Sequence, residues 1–133
     1  MFGGIAKISD LPLPYESNKS VYFDRSFSEK IGYLDPNSFL NENFKKEYSM
    51  DIYSLGSLLW EIASEKVPFL EDQKDGIIKL VLKIKNQDYR EKDIMDTHFP
   101  IKYRNLYEQC WNRDSSARPS IQKVYEKLSE INK

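Results

Sequence analysis

An internal disulfide is excluded at once, because the 133 residues contain a single cysteine, Cys110, and a lone thiol has no partner in its own chain. Histidine is as scarce: the only one, His98, stands in "THFP" and reads as a loop residue. No sign of charge dominates. Twenty basic residues face twenty-one acidic ones, for a formal net charge of -1, so nothing calls for a nucleic acid or an anionic membrane as partner. No apolar run approaches the roughly 18 to 20 residues that cross a bilayer, and the first residues lack the basic and apolar regions of a signal peptide. Internal repeats and low-complexity tracts are also missing. These absences lead to the expectation of a soluble protein in a reducing, intracellular and cytoplasmic setting.

What is present belongs to a globular chain: 40% hydrophobic, 14% aromatic and 31% charged residues suffice for one packed core. From Met1 to about Gly32 there is no sustained period, but Pro12, Pro14 and the serines at 17, 20, 26 and 28, which reads as a long loop of the functional kind. In "YLDPNSFLNENF", Asp35 ahead of Pro36 predicts a short helix, with an N-cap acceptor followed by a fixed φ. The stretch "YSMDIYSLGSLLWEIAS" is apolar around almost its whole helical circumference, predicting a helix over about 49–64 in the middle of the core. "VPFLEDQKDG" breaks the pattern with Pro68 and Gly76. "IIKLVLKI" is assigned to a helix, and "NQDYREKDIMDTHFP" to a loop. Tyr103, Leu106, Tyr107, Cys110 and Trp111 fill an amphipathic helical template. Ser120 then caps a last helix with Ile121, Val124, Tyr125, Leu128 and Ile131 on its apolar side. The fold class is therefore mainly α, a helical domain built around a central buried helix.

Four stretches stand in a fixed order: "FGG" at 2–4, "GYLDPNSF" at 32–39, "DIYSLGSLLWEI" at 51–62 and "LYEQCWNRDSSARPS" at 106–120. Together they resemble the C-terminal lobe of a eukaryotic protein kinase domain, from the Asp-Phe-Gly region onward, nearest the tyrosine-kinase-like and receptor-like groups. The resemblance covers essentially the whole chain. It implies an activation segment over 1–39 and a helical lobe over 40–133. Phe2 and Gly3 match the last two residues of Asp-Phe-Gly, although three residues alone would equally be a flexible terminus. Asp51 matches the aspartate that opens the central helix and accepts hydrogen bonds from the catalytic loop. Leu58 and Ile62 match the apolar supports of the side-chain column that ends at adenine. Cys110 and Trp111 read as core packing under any hypothesis.

The departures carry equal weight. Met1 stands where the metal-binding aspartate belongs: either the aspartate is replaced, or, as is favoured, the chain begins inside an active site whose other half lies upstream. The Ala-Pro-Glu glutamate is replaced by Asn37, whose family partner corresponds to Arg118. Asn37 can supply only part of that buried bond. The Gly-rich loop, the β3 lysine, the αC glutamate and the catalytic-loop residues have no match, so no catalytic residue is assigned. ATP and Mg²⁺ are implied for a full-length parent, and neither is expected to bind this chain alone in the usual way. The surface around Asp51, Leu58 and Ile62 would lack its cover, which argues against a well-behaved isolated monomer.

Ser17, Ser20, Tyr22, Ser26 and Ser28, together with Ser9, are the candidate phosphoacceptors of the activation segment, although serines are common in any exposed loop. Three readings compete. The chain is a fragment of a kinase domain whose parent phosphorylates Ser, Thr or Tyr of signalling proteins. Alternatively, it is a non-catalytic kinase-like module that binds partners through its activation segment and the surface near 72–90. The third reading, a chance match by an unrelated helical domain, fits poorly with four motifs in order.

Overall fold

In the computed structural model, the described residues are Lys7, 25–41, 43, 45, 47–92 and 98–133. They form α1 (Arg25–Lys30), α2 (Asn37–Leu40), α3 (Tyr48–Ser64), α4 (Leu70–Gln73), α5 (Ile77–Gln87), α6 (Ile101–Cys110), a 3-10 turn (Ser115–Ala117) and α7 (Ile121–Ile131). No strand occurs among the described residues. The architecture is mainly α, as the sequence pattern predicts.

The organising contact is the crossing of α3 and α6. Gly56 interrupts an otherwise strong helix-forming run, at a propensity cost of about 1 kcal/mol relative to alanine. Its position explains it. A Cβ at residue 56 would lie 2.8 Å from Cys110 Cβ and 3.0 Å from the Trp111 nitrogen, so only glycine lets the two helices approach this closely. Around the crossing, Ile52, Tyr53, Leu59, Trp60, Leu106, Tyr107 and Cys110 form a buried cluster that Val124 of α7 completes. Each fully buried aliphatic side chain contributes on the order of 1.5–3 kcal/mol. Tyr103 removes its own polar cost by donating its hydroxyl to the Leu59 carbonyl at 2.9 Å.

A second cluster lies beside the first, with Ile31, Phe69, Leu80 and Ile84 at its centre. It joins the segment ahead of α2 to α5, and Gly32 makes the join possible because Pro68 occupies the space a Cβ would need, 2.6 Å away. The chain leaves α3 through Glu65, a left-handed residue at φ 56, whose N–H still reaches the Glu61 carbonyl at 2.8 Å. Ser120 caps α7 as its sequence predicts, accepting the Lys123 N–H at 3.2 Å.

Several expectations need correction. The long loop predicted through Gly32 contains a helix, α1, because Arg25–Lys30 is a short helical run without proline or glycine. Leu70–Gln73, read only as a break, makes one helical turn, α4, between Pro68 and Gly76. The period of the central helix places apolar residues all round it, yet Leu58 is 45% and Ile62 53% exposed, in line with the uncovered surface expected around Asp51, Leu58 and Ile62. Ile121 and Tyr125, assigned to the apolar side of the last helix, are 63% and 68% exposed. The helical period places residue 125 one step past the stripe that Val124 and Leu128 turn toward the core.

Candidate functional site

Two side chains of opposite charge meet in the interior where α2, the start of α3 and the turn after α6 converge. Asp35 Oδ2 accepts a hydrogen bond from Arg118 Nη1 at 2.5 Å, with both side chains 1% exposed. The other oxygen of Asp35 accepts the Asn37 N–H at 2.9 Å. One carboxylate thus starts α2 and holds the arginine. Arg118 donates further to the carbonyls of Ser49 at 2.8 Å and Asn112 at 2.7 Å, and its guanidinium carbon lies 5.2 Å from the centre of the Tyr53 ring. Arg90 approaches the same ring at 5.7 Å. Burial and the buried carboxylate of Asp35 raise the Tyr53 hydroxyl pKa, and the two arginines oppose them.

Arg118 Nη2 is buried and has no hydrogen-bond partner among the described residues. Asn37, expected opposite Arg118, donates its side-chain amide to the Arg113 carbonyl at 3.2 Å instead. The carboxylate of this bridge therefore comes from Asp35, two residues earlier. Sequence reasoning gave Asp35 only its capping role; a carboxylate two positions ahead of the mismatched Asn37 was the available signal. Beside the bridge, a polar cavity of about 370 Å³ is lined by Asp35, Asn37, Lys45, Glu47, Ser49 and Arg113, among others.

The exposed side of α3 carries a second arrangement. Tyr33, just ahead of α2, donates its hydroxyl to Glu61 Oε2 at 2.6 Å, and its carbonyl accepts the Ser54 hydroxyl at 2.7 Å. Burial, and next the Glu61 carboxylate, push the Tyr33 hydroxyl pKa well above its ordinary value. These bonds seat the segment before α2 on the central helix. Leu58 and Ile62 are exposed on this helix, as is Asp51 in its first turn.

Phe2, Gly3, Ser17, Ser20 and Tyr22 lie outside the described residues. Ser26 and Ser28 belong to α1, and Ser28 is half-buried. Trp111 is buried, with its ring 5.2 Å from that of Tyr107 and edge-on to it. No three His, Cys, Asp or Glu side chains among the described residues are grouped so as to hold a metal ion. Among the described residues, no helix is long and apolar enough to cross a membrane.

Comparison with known proteins adds the lineage. Residues 3–128 match the family described as protein tyrosine and serine/threonine kinase. The human mixed lineage kinase domain-like protein is 32% identical over 105 residues, covering 79% of this chain and 21% of that protein. A probable serine/threonine-protein kinase of Dictyostelium discoideum is 25% identical over 127 residues, covering 94% of this chain and 13% of its own length. The inactive protein tyrosine kinase pTKL of Plasmodium falciparum is 24% identical over 133 residues, covering 92% of this chain and 8% of its own. The chain thus spans between 8% and 21% of the length of these relatives.

Proposed function

The chain belongs to the protein tyrosine and serine/threonine kinase family, and we propose that it is the helical, protein-facing part of a kinase domain whose parent phosphorylates proteins. In that reaction a Ser, Thr or Tyr hydroxyl oxygen bonds to the γ-phosphorus of ATP, the bond to ADP breaks, and the hydroxyl proton leaves to a base. Phosphoryl transfer depends on positioning and charge stabilisation. This lobe would position the acceptor protein, while the nucleotide-binding groups come from other parts of the parent. ATP and Mg²⁺ are the parent's cofactors in this reading.

The observation that carries the reading is the buried Asp35–Arg118 bridge, within a chain that matches the family over residues 3–128. The bridge ties the segment before α2 to the end of the domain. Within this assignment, 1–39 is the activation segment and Phe2 and Gly3 are the remnant of Asp-Phe-Gly. Ser17, Ser20, Tyr22, Ser26 and Ser28 are its phosphoacceptors, and Asp51, Leu58 and Ile62 are the seat of the catalytic loop. Signalling proteins inside the cell are the substrates. Incubating the parent with Mg²⁺, radiolabelled ATP and a mixed protein substrate tests the assignment. Labelled hydroxyl residues are expected, and an inert parent would overturn it.

A second reading is a kinase-like interaction module without phosphoryl transfer. It is favoured by Asn37 standing in place of the family's glutamate, and by similarity to a relative that is itself named inactive. An inert parent that also shows no ATP-induced thermal shift is the result this reading requires.

A further inference from the structure

Helix α5 has two unlike sides. Leu80 and Ile84 are fully buried in the second cluster, with Ile77 and Val81 packed against it. The helix is braced from outside as well: Lys83 reaches Asp72 Oδ1 at 3.0 Å, and the Tyr89 hydroxyl donates to the same carboxylate at 3.1 Å. Such a helix cannot roll to hide its other side.

On that other side Ile78 is 71% and Leu82 49% exposed, one helical turn apart and so adjacent on the surface. Lys79 and Lys85, both exposed, flank the pair. The helix sequence IIKLVLKIKNQ has three lysines and no acidic residue, and Lys83 is already engaged by Asp72. Lys85 suits the negative end of the helix dipole, but Lys79 lies in the first turn, where a cation is disfavoured by about 0.3–1 kcal/mol. Helical stability therefore does not account for the charge at residue 79. Two aliphatic side chains between two lysines that form no ion pair among the described residues are the complement of an amphipathic acidic segment.

We propose that the outward face of α5, made by Ile78, Lys79, Leu82 and Lys85, docks an acidic protein segment presenting apolar side chains one helical turn apart. The proposal rests on the reading that this lobe meets other proteins. Because its readout is peptide binding rather than phosphoryl transfer, failure of one leaves the other standing. The partner's apolar pair covers Ile78 and Leu82, and its carboxylates meet the two lysines, which fix its register.

The test titrates the full chain with a short helical peptide carrying two leucines one turn apart and flanking glutamates, and with a copy whose glutamates are lysines. The acidic peptide is expected to bind saturably and the basic copy not. Replacing Ile78 and Leu82 by alanine should weaken binding at least about tenfold. The double change Lys79→Glu and Lys85→Glu should exchange the preference toward the lysine peptide. Both variants alter exposed side chains, so their folding is checked by an unchanged melting temperature. Equal binding of the two peptides, or no saturation by about 1 mM, overturns the proposal. So does an equal loss of binding from alanines at Ile121 and Tyr125 on α7.

Discussion

Arg118 donates hydrogen bonds to Asp35, Ser49 and Asn112, so one guanidinium joins three separate parts of the chain. Its removal leaves the Asp35 carboxylate buried without a counter-charge. Arg118→Leu is expected to cost about 3–5 kcal/mol in denaturant unfolding; a loss below about 1 kcal/mol would put the bridge at the level of a surface pair. Since Nη2 of this arginine has no partner among the described residues, a longer carboxylate nearby has a donor to satisfy. Asn37→Glu is therefore expected to raise the melting temperature, despite losing the amide bond to Arg113, and an unchanged or lower value refutes this. Cys110 is fully buried, and desolvation raises its thiol pKa to about 11. Near pH 8 it is protonated, and the thiolate is the reactive form. A thiol reagent should thus label the chain only after denaturant is added; rapid labelling of the folded chain would show that the α3–α6 crossing opens. At this scale the sequence was legible for Cys110 and Trp111, whose apolar spacing fixes their burial. For Asp35 the sequence offered only the indirect signal of a carboxylate two positions ahead of the mismatched Asn37, because a bond spanning 83 positions leaves no local pattern.

Helices α3 and α6 depend on close approach more than on hydrophobicity. Gly56→Ala improves helix propensity, yet its Cβ meets backbone and Cβ atoms of α6 at 2.8 to 3.1 Å, where neither helix has a flexible end to move aside. Overpacking of this kind costs about 1–3 kcal/mol, so the substitution should destabilise, and a stabilised variant would mean that the helices are further apart. Tyr33→Phe removes the hydroxyl that reaches Glu61, a loss of about 1 kcal/mol or less at a partly exposed site, measurable in the same unfolding curves. Elements with a long apolar period, α3, α6 and α7, were predictable from that period alone. Short elements were not. The four residues of α4 and the six of α1 span too few turns to display a period. Exposure of Leu58 and Ile62 was likewise hidden from periodicity, which reports that a side chain is apolar and not whether a partner covers it.

For the molecule as a whole, the described residues hold two apolar clusters and a buried bridge, but no grouped carboxylates for a metal ion. The family was legible in the sequence because four short motifs keep their order, which is a property of the whole chain and not of any one residue. In the proposed function, this lobe supplies protein contacts and the nucleotide chemistry comes from other parts of the parent. The most direct test compares the 133-residue chain with its parent, each incubated with Mg²⁺ and radiolabelled ATP in the presence of a mixed protein substrate. Transfer to protein hydroxyls by the parent is expected, with neither transfer nor an ATP-induced thermal shift for the chain alone; transfer by the chain alone would contradict the proposed function.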